Sequence, residues 1–275
     1  MNLKFPTIIY FLSAILAGFF LIHYPHELVS FAEVGNISSN EAQEIDIDRL
    51  KQNNVIYLGE NHDNSQHHAQ QLEIIQQLQQ ETNNSQLAIG MEMFQRPFQP
   101  ILNRYLAQKI SEEELRQQTE YDTRWGFDWE FYAPILRYAQ REEIPVIALN
   151  TPEEITHKVA ETGINSLEGS DFRYIPPFEE IKLDNEEYRQ AIEEIYLQHV
   201  EDGQGNSTDV DNFFAAQVLW DETMAEAIAL HYLNNPQAKI VILVGKAHVT
   251  NNYAIPDRVT RRINNTSFSS KILLQ

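Results

Sequence analysis

The stretch "VIYLGENHD", Val55–Asp63, is an apolar segment that ends at a glycine and then delivers Glu60, His62 and Asp63. A second stretch near the other end of the chain, "VILVGKAHV", has the same shape, with His248 three residues after Gly245. A short, β-branched apolar run closed by glycine is typical of a buried strand in a parallel sheet. The two stretches therefore predict two core strands whose carboxyl ends carry ionisable side chains.

Further apolar runs extend this pattern along the chain. The predicted strands are Val55–Leu58, Gln86–Phe94, Ile144–Asn150, Lys239–Gly245 and the terminal "SKILLQ". Helical periodicity separates them, with caps predicted at Asp63 or Asn64, at Ser111 with Glu114, and at Ser207 or Thr208. Strands that alternate with helices indicate an α/β fold with a mainly parallel central sheet flanked by helices. The helical stretches 98–140 and 152–233 are too long for simple crossovers and predict a helical insertion or cap.

The amino-acid composition of the chain argues against several kinds of partner and site. The chain has 275 residues, 43% of them hydrophobic, which is enough for one large domain with a sizeable core. Forty acidic residues against twenty basic ones give a formal charge of −20, which repels phosphate backbones and argues against nucleic acid as a partner. The absence of cysteine excludes disulfides, thiolate zinc sites, iron–sulfur clusters and a cysteine nucleophile.

The N-terminal segment is a candidate for membrane insertion. One lysine, Lys4, precedes an apolar segment from Phe5 to Ile22, and the small-x-small triplet at residues 30–32 could serve as a cleavage site. We favour an uncleaved membrane anchor over a cleaved signal peptide. Residues 1–32 are thus predicted as the anchor or signal, 33–50 as a linker, and 51–275 as the α/β domain. The domain is then expected outside the cytoplasm, in the cell envelope.

The candidate site lies at the predicted strand ends. Ligands of parallel α/β sheets bind beyond the carboxyl ends of the strands. The polar residues at those ends are Glu60, His62, Asp63, Glu92, Asn150, Lys246 and His248. Glu60 and Asp63 have an alternative role as helix caps, and His62 as a turn residue. His67 and His68 are predicted to be solvated on a Gln-rich helix.

Glu92 is the hardest of these residues to explain as ordinary surface. It lies inside the apolar run "GMEMF", where a carboxylate is costly unless it is paired, and Lys246 or Arg96 is its predicted partner. His248 is a candidate general base or metal ligand.

The four predicted catalytic residues are also the predicted metal ligands: Glu60, His62, Glu92 and His248. Two His and two Glu can hold a divalent metal ion or work as a metal-free acid and base, and their spacing does not separate these alternatives. The chain has no HExxH, GxSxG or P-loop motif, which argues against a zincin, a serine hydrolase and a nucleotide kinase.

Several blocks in order resemble the ChaN-like family of the haem-binding-uptake and Tiki superfamily, which has distant relatives among erythromycin esterases. The blocks span residues 50–265 and read "LGENHD", "AIGMEMFQRPFQPILNRYL", "RWGFDWEFYAPILRYAQREEIPVIALNTP", "AAQVLWDETMAEAI" and "VILVGKAHVTNNYAIPDRV". The resemblance implies an α/β fold with a helical part and a site built from Glu60, His62, Glu92 and Gly245 with His248. It also implies export and an association with haem or iron uptake, whereas Tiki-type relatives are metal-dependent proteases.

Two functions follow as hypotheses. The first is a haem-binding or iron-handling protein of the cell envelope, in which the aromatic segment Tyr121–Tyr132 either walls a flat ligand or packs as a helix start. The second is a hydrolase, with or without a metal ion, that uses the four site residues. The expected cofactor is haem or a divalent metal ion. The expected partners are haem, the membrane through the N-terminal segment, and a second copy of the chain in a homodimer.

Overall fold

The computed structural model describes residues 45–81, 87–201, 209–250 and 253–275. The predicted anchor, residues 1–32, and the first part of the linker lie outside the described residues. Within the described ranges, every helix is too short or too polar to cross a bilayer.

A five-stranded parallel sheet forms the centre of the described fold. Its strands are β1 (Val55–Glu60), β2 (Leu87–Gln95), β3 (Val146–Asn150), β4 (Lys239–Gly245) and β5 (Ser270–Leu274). Their order across the sheet is β3-β2-β4-β1-β5, and each neighbouring pair is parallel. The predicted α/β class with a parallel sheet is confirmed. The observed β1 extends past the predicted end at Leu58 and includes Gly59 and Glu60, which brings Glu60 into the sheet itself.

Ten helices surround the sheet in the described part of the chain. They are α1 (Ile47–Leu50), α2 (Ser65–Glu81), α3 (Gln99–Leu106), α4 (Glu112–Gln118), α5 (Tyr121–Arg124), α6 (Trp129–Arg141), α7 (Glu153–Thr162), α8 (Glu186–Glu201), α9 (Val210–Asn234) and α10 (Ile255–Ile263). Single 3₁₀ turns follow β2 and β4, at Arg96–Phe98 and Lys246–His248, and three more break up the segment between α7 and α8.

The helix caps agree in part with the sequence prediction. Ser111 and Glu114 form the predicted capping box at the start of α4. At α2, the Asn64 side chain accepts from the Gln66 N–H at 3.0 Å, which makes Asn64 the capping residue. Ser207 and Thr208, the cap predicted for this helix, lie outside the described residues; the carboxylate of Asp209 accepts from the first backbone N–H groups of α9.

The core has three parts. One face of the sheet packs against α2 and α6, through residues such as Leu78 and Leu136. The other face packs against the second half of α9 and against α10, through residues such as Ile228 and Val259. A third cluster joins α7, α8 and the first half of α9, within the predicted stretch 152–233, and is called the helical insertion below. The other predicted stretch, 98–140, packs in the first cluster with the sheet. The first half of α9 packs in the insertion and its second half packs against the sheet. Its middle residues therefore lie at the carboxyl edge of the strands.

Candidate functional site

The register of the sheet brings the two opening stretches together. Glu60 on β1 lies directly opposite Gly245 on β4, so the residues that follow each strand emerge side by side. Glu60, His62, Glu92 and His248 are all buried, between 1% and 4% exposed. The structure therefore places the four predicted site residues in one buried cluster at the carboxyl edge, while their catalytic or ligand roles stay predictions.

Glu60 is held by donors from two helices. Its Oε1 accepts from the Tyr132 hydroxyl of α6 at 2.5 Å and lies 2.9 Å from His62 Nδ1. Its Oε2 accepts from the Gln71 amide of α2 at 2.6 Å, with His68 Nδ1 at 3.6 Å. Burial, together with the Glu60 charge, raises the pKa of Tyr132 well above its usual value, so Tyr132 stays a donor. Glu60 therefore anchors the cluster and does not serve as the cap of α2.

His62 sits between Glu60 and the backbone of β4. With Nδ1 bonded to Glu60, its ring packs against Trp125 and Phe127, with centroid separations of 4.8 and 4.9 Å. The other ring nitrogen faces Gly245: a Cβ added to Gly245 would lie 2.8 Å from His62 Nε2 and 3.6 Å from Glu92 Oε2. Gly245 thus leaves the space in which His62 and Glu92 approach each other.

The two histidines of α2 differ from expectation. His68, predicted to be solvated, is 3% exposed, stacks on Phe131 and contacts the His62 carbonyl oxygen through Nε2 at 3.0 Å. The prediction is wrong because position 68 shares the buried face of α2 with Gln71 and Ile75, three and seven residues later. His67 is half-buried, and its Nδ1 accepts from the Asn61 N–H at 3.0 Å, which closes the turn after β1.

Glu92 obtains its partners from β4 and from the turn that follows it. Its Oε2 accepts from the Gly245 N–H at 2.7 Å, and its Oε1 lies 3.5 Å from His248 Nε2. Arg96, one of the two partners predicted for Glu92, pairs with Glu226 of α9.

Asp221 and Tyr188 complete the site from the helical insertion, and sequence reasoning missed both. Asp221, in the middle of α9, lies 2.6 Å from His248 Nδ1 through Oδ1 and accepts from the Tyr188 hydroxyl at 2.5 Å through Oδ2. It is fully buried. The signal in the sequence was an acidic pair, Asp221-Glu222, inside an otherwise apolar helix face.

Opposite charges set the protonation states of this group. Burial lowers the pKa of His248, but the negative charges of Glu92 and Asp221 outweigh it and raise that pKa to about 10. Burial also raises the pKa of Glu92, but the charge of His248 and the Gly245 N–H more than reverse this and lower it below its usual value. Both shifts favour the charged forms of His248 and Glu92 near neutral pH.

The contacts of the two histidines resemble those of metal-binding histidines, but the side chains are not arranged as metal ligands. Each histidine binds a carboxylate through Nδ1, as metal-ligating histidines commonly do. Among the described residues, however, no group of three or more His, Asp or Glu side chains is arranged to hold a metal ion. The structure gives no support to the predicted divalent metal.

A cleft opens beside this cluster, beyond β2 and β3. The centre of a water-sized sphere can occupy about 50 Å³ of it, and its total empty space, which includes open solvent, is about 500 Å³. Its lining consists of Glu92, Gln95, Arg124, Trp125, Phe127, Asn150, Thr151, Glu153, Thr156 and Trp220. Three aromatic side chains therefore line the cleft, and Glu92 belongs both to this lining and to the buried cluster. Within segment 121–132, Trp125 and Phe127 line the cleft, whereas Tyr121 and Tyr132 pack in the core. The predicted packing is therefore present, and the predicted wall for a flat ligand stays a prediction.

Comparisons with known proteins agree with this architecture. A family model described as "Haem-binding uptake, Tiki superfamily, ChaN" matches residues 47–259. The solved structure "Cofacial heme binding to ChaN of Campylobacter jejuni" matches with a TM-score of 0.64 and 20% identity, over 83% of each chain. A mutant of the erythromycin esterase EreC in its open conformation matches with a TM-score of 0.47 and 13% identity, over 82% of this chain and 71% of that one.

One plant protein also matches in sequence. "Protein RETICULATA-RELATED 5, chloroplastic" from Arabidopsis thaliana is 29% identical over 136 residues, which are 47% of this chain and 18% of that protein. The chain thus aligns with less than a fifth of the plant protein.

Proposed function

The chain belongs to the haem-binding uptake family of the Tiki superfamily, ChaN, and from that premise we propose that it binds haem in a haem-uptake role. The observation that carries the proposal is the cleft with aromatic walls at the carboxyl edge of the sheet. Trp125, Phe127 and Trp220 offer flat apolar surfaces of the kind that a porphyrin ring packs against.

The lining of the cleft offers contacts for the porphyrin plane but no ligand for the iron. Haem iron takes an axial His, Tyr, Met or Cys ligand, and the described residues that line the cleft include none of these. The cationic wall residue, Arg124, is held by Glu120 and Glu154 at 2.7 and 2.6 Å. The proposal therefore assigns the ring contacts to the aromatic walls and assigns no residue to the iron.

Titration of haemin into the purified protein tests this proposal. A shifted and saturable Soret band is expected, and Trp220→Ala and Phe127→Ala should each weaken binding by about tenfold or more because each removes an aromatic wall. Leu233→Ala is the matched control, since Leu233 is half exposed near the far end of α9. A featureless, non-saturating titration would contradict haem binding, whereas equal affinity in all variants would place haem outside the cleft. The molecular mass of the haemin-saturated protein in solution, compared with the mass of one chain, tests the predicted homodimer.

A second candidate function, acid–base hydrolysis, is favoured by the buried pair of His248 and Glu92. Glu92 lines the cleft as a carboxylate, and His248 lies behind it as an imidazolium. In this arrangement we propose that Glu92 takes a proton from a water molecule as the water oxygen attacks the substrate carbonyl carbon. Glu92 then gives that proton to the leaving group as the bond between the carbonyl carbon and the leaving group breaks, while the His248 imidazolium stabilises the Glu92 carboxylate. The sequence-based prediction for His248, a general base or a metal ligand, differs from this proposal, in which Glu92 is the base.

A panel of ester and peptide substrates tests the second candidate. Glu92→Gln and His248→Gln should each lower kcat by about 100-fold or more, because the first removes the base and the second removes the charge that stabilises it. His231→Gln is a control, since His231 lies on α9 near the opposite end of the sheet, beside Pro145. The wild-type protein must turn over at least one substrate; a complete lack of turnover would count against hydrolysis.

A further inference from the structure

Asp221 connects the helical insertion to the strand-end cluster. It lies on α9 and is fully buried, yet both of its carboxylate oxygens are within hydrogen-bond distance of a side chain: His248 Nδ1 at 2.6 Å and the Tyr188 hydroxyl at 2.5 Å. A buried carboxylate is stable only when it is paired and hydrogen-bonded in this way.

Contact with Asp221 determines the orientation of the His248 ring. The two ring nitrogens point to opposite sides, so a bond from Nδ1 to Asp221 directs Nε2 away from α9 and towards Glu92, whose Oε1 lies 3.5 Å away. Trp220 packs edge-on to the same ring, with 6.3 Å between centroids.

Tyr188 is itself fixed by aromatic packing. Its ring stacks on Tyr253 at 5.1 Å between centroids and meets Phe214 edge-on at 5.7 Å. Burial raises the pKa of its hydroxyl, as does the nearby Asp221, so Tyr188 remains a donor. The chain of contacts therefore runs from α8 through α9 to the turn after β4 and ends at Glu92 beside the cleft.

We propose that Asp221 is a positioning residue for His248, that Tyr188 fixes Asp221 in turn, and that the helical insertion thereby sets the position of the imidazole beside Glu92. The proposal rests on the role suggested above for His248. A purely structural role for Asp221 would make it needed for folding but leave the orientation of His248 independent of it.

The wild-type protein provides the first test. An N–H held by a buried carboxylate gives a strongly deshielded proton signal, so ¹H–¹⁵N NMR with labelled histidine should show one for His248 Nδ1. His248→Gln should remove the signal and so assign it. Its absence from folded wild-type protein overturns the proposal.

Substitution of Asp221 provides the second test. Asp221→Asn keeps the shape of the side chain but cannot hold the imidazolium, so the deshielded signal should disappear while far-UV circular dichroism stays unchanged. Any hydrolytic activity should lose about 100-fold or more in kcat with KM changed less than about threefold. Asp257→Asn, at an exposed position of α10, is the matched control and should alter neither quantity. Persistence of the signal in folded Asp221→Asn would overturn the proposal.

Tyr188→Phe tests the contact between Tyr188 and Asp221 separately from the contact between Asp221 and His248. It removes only the hydroxyl that holds Asp221, so the deshielded signal should shift but persist, with a smaller loss of kcat. An unshifted signal would overturn the role of Tyr188. Should no substrate be turned over by the wild-type protein, hydrolysis fails as a function, whereas the NMR result still decides whether Asp221 positions His248.

Discussion

At the residue scale, Gly245 sets how closely His62 and Glu92 approach. Its backbone angles, φ −55° and ψ 135°, are ordinary for any residue, so space and not conformation requires glycine here. A Cβ would lie 2.8 Å from His62 Nε2 and 3.0 Å from Cε1. Gly245→Ala should therefore displace the His62 ring, lower the free energy of unfolding by about 1 to 3 kcal/mol, and reduce any function of the cluster.

The matched control for this substitution is Gly169→Ala. A Cβ at Gly169 would meet nothing within 4 Å, so its free energy of unfolding should stay close to that of the wild type. Chemical denaturation of both variants measures the difference. Equal stability of the two variants would mean that His62 does not occupy the position described for it.

His248 should make stability depend on pH in a defined window. Its folded pKa of about 10 exceeds the ordinary value of 6.5, so its stabilising contribution is complete below 6.5 and is lost as the pH rises towards 10. Over that window the free energy of unfolding should fall by an amount on the order of a few kcal/mol. Lysine and tyrosine side chains also titrate at the upper end of this pH window. The measurement is therefore the slope of the free energy of unfolding against pH, compared between the wild type and His248→Gln.

His231→Gln serves as the control for that slope. Burial lowers the pKa of His231, so this group gains no stability from its charged form and its removal should leave the fall above pH 6.5 in place. A wild-type slope no steeper than that of His248→Gln would show that His248 is not held as an imidazolium.

At the element scale, one buried carboxylate clamps α9 to α10 and to the insertion. Glu222, fully buried, binds Arg258, Arg261 and Arg262 of α10 and accepts from the Lys182 N–H at 3.0 Å. Glu222→Gln should lower the free energy of unfolding by about 3 to 5 kcal/mol, because it leaves buried guanidinium groups without their counter-charge.

Glu226→Gln is the comparison for this clamp. Glu226 lies one turn further along α9 and pairs with Arg96, but both side chains keep 16% to 20% exposure to solvent. Its loss should cost clearly less than the loss of Glu222, as measured by thermal or denaturant unfolding. A larger effect at Glu226 would contradict the clamp.

The elements also explain which parts of the site could be read from the sequence. Glu60, His62, Glu92 and His248 lie in or directly after apolar strands, where a charged residue interrupts a local pattern. Asp221, with Glu222, also interrupts an apolar pattern. Because α9 packs against the sheet along one half and against the insertion along the other, that pattern does not show that Asp221 meets the strand ends. His68 was wrongly predicted from the Gln-rich composition of α2, although its spacing from Ile75 places it on the buried face of that helix. Its contacts with Phe131 and Tyr132 of α6 could not be predicted from α2 alone.

At the scale of the whole molecule, the parallel sheet followed from the alternation of strands and helices, but the strand order did not. The pattern within an apolar run predicts a strand but does not indicate which other strand pairs with it. The placement of β4 between β2 and β1 depends on packing between residues nearly two hundred positions apart. The convergence of the strand ends was therefore predictable, and the partners of each residue were not.

The N-terminal segment supports a prediction for the full chain. We propose that residues 1–32 anchor the protein in a membrane, with the α/β domain outside the cytoplasm, because Phe5–Ile22 carries no charged side chain. The full chain should sediment with membranes and resist extraction by high salt, whereas a chain that starts at residue 33 should stay in the supernatant. Recovery of the intact full chain in the supernatant would contradict an anchor.

The position of β4 in the sheet also sets a time order for synthesis. Ribosomes make β1 and β2 early, but the strand that lies between them arrives only after residue 245, and β5 follows near the chain end. Until then Glu60 has no Gly245 opposite it and Glu92 lacks both of its partners. A nascent chain therefore carries Glu92 and Asp221 before it contains the His248 that lies between them, and the cluster is completed only after β4 has been made.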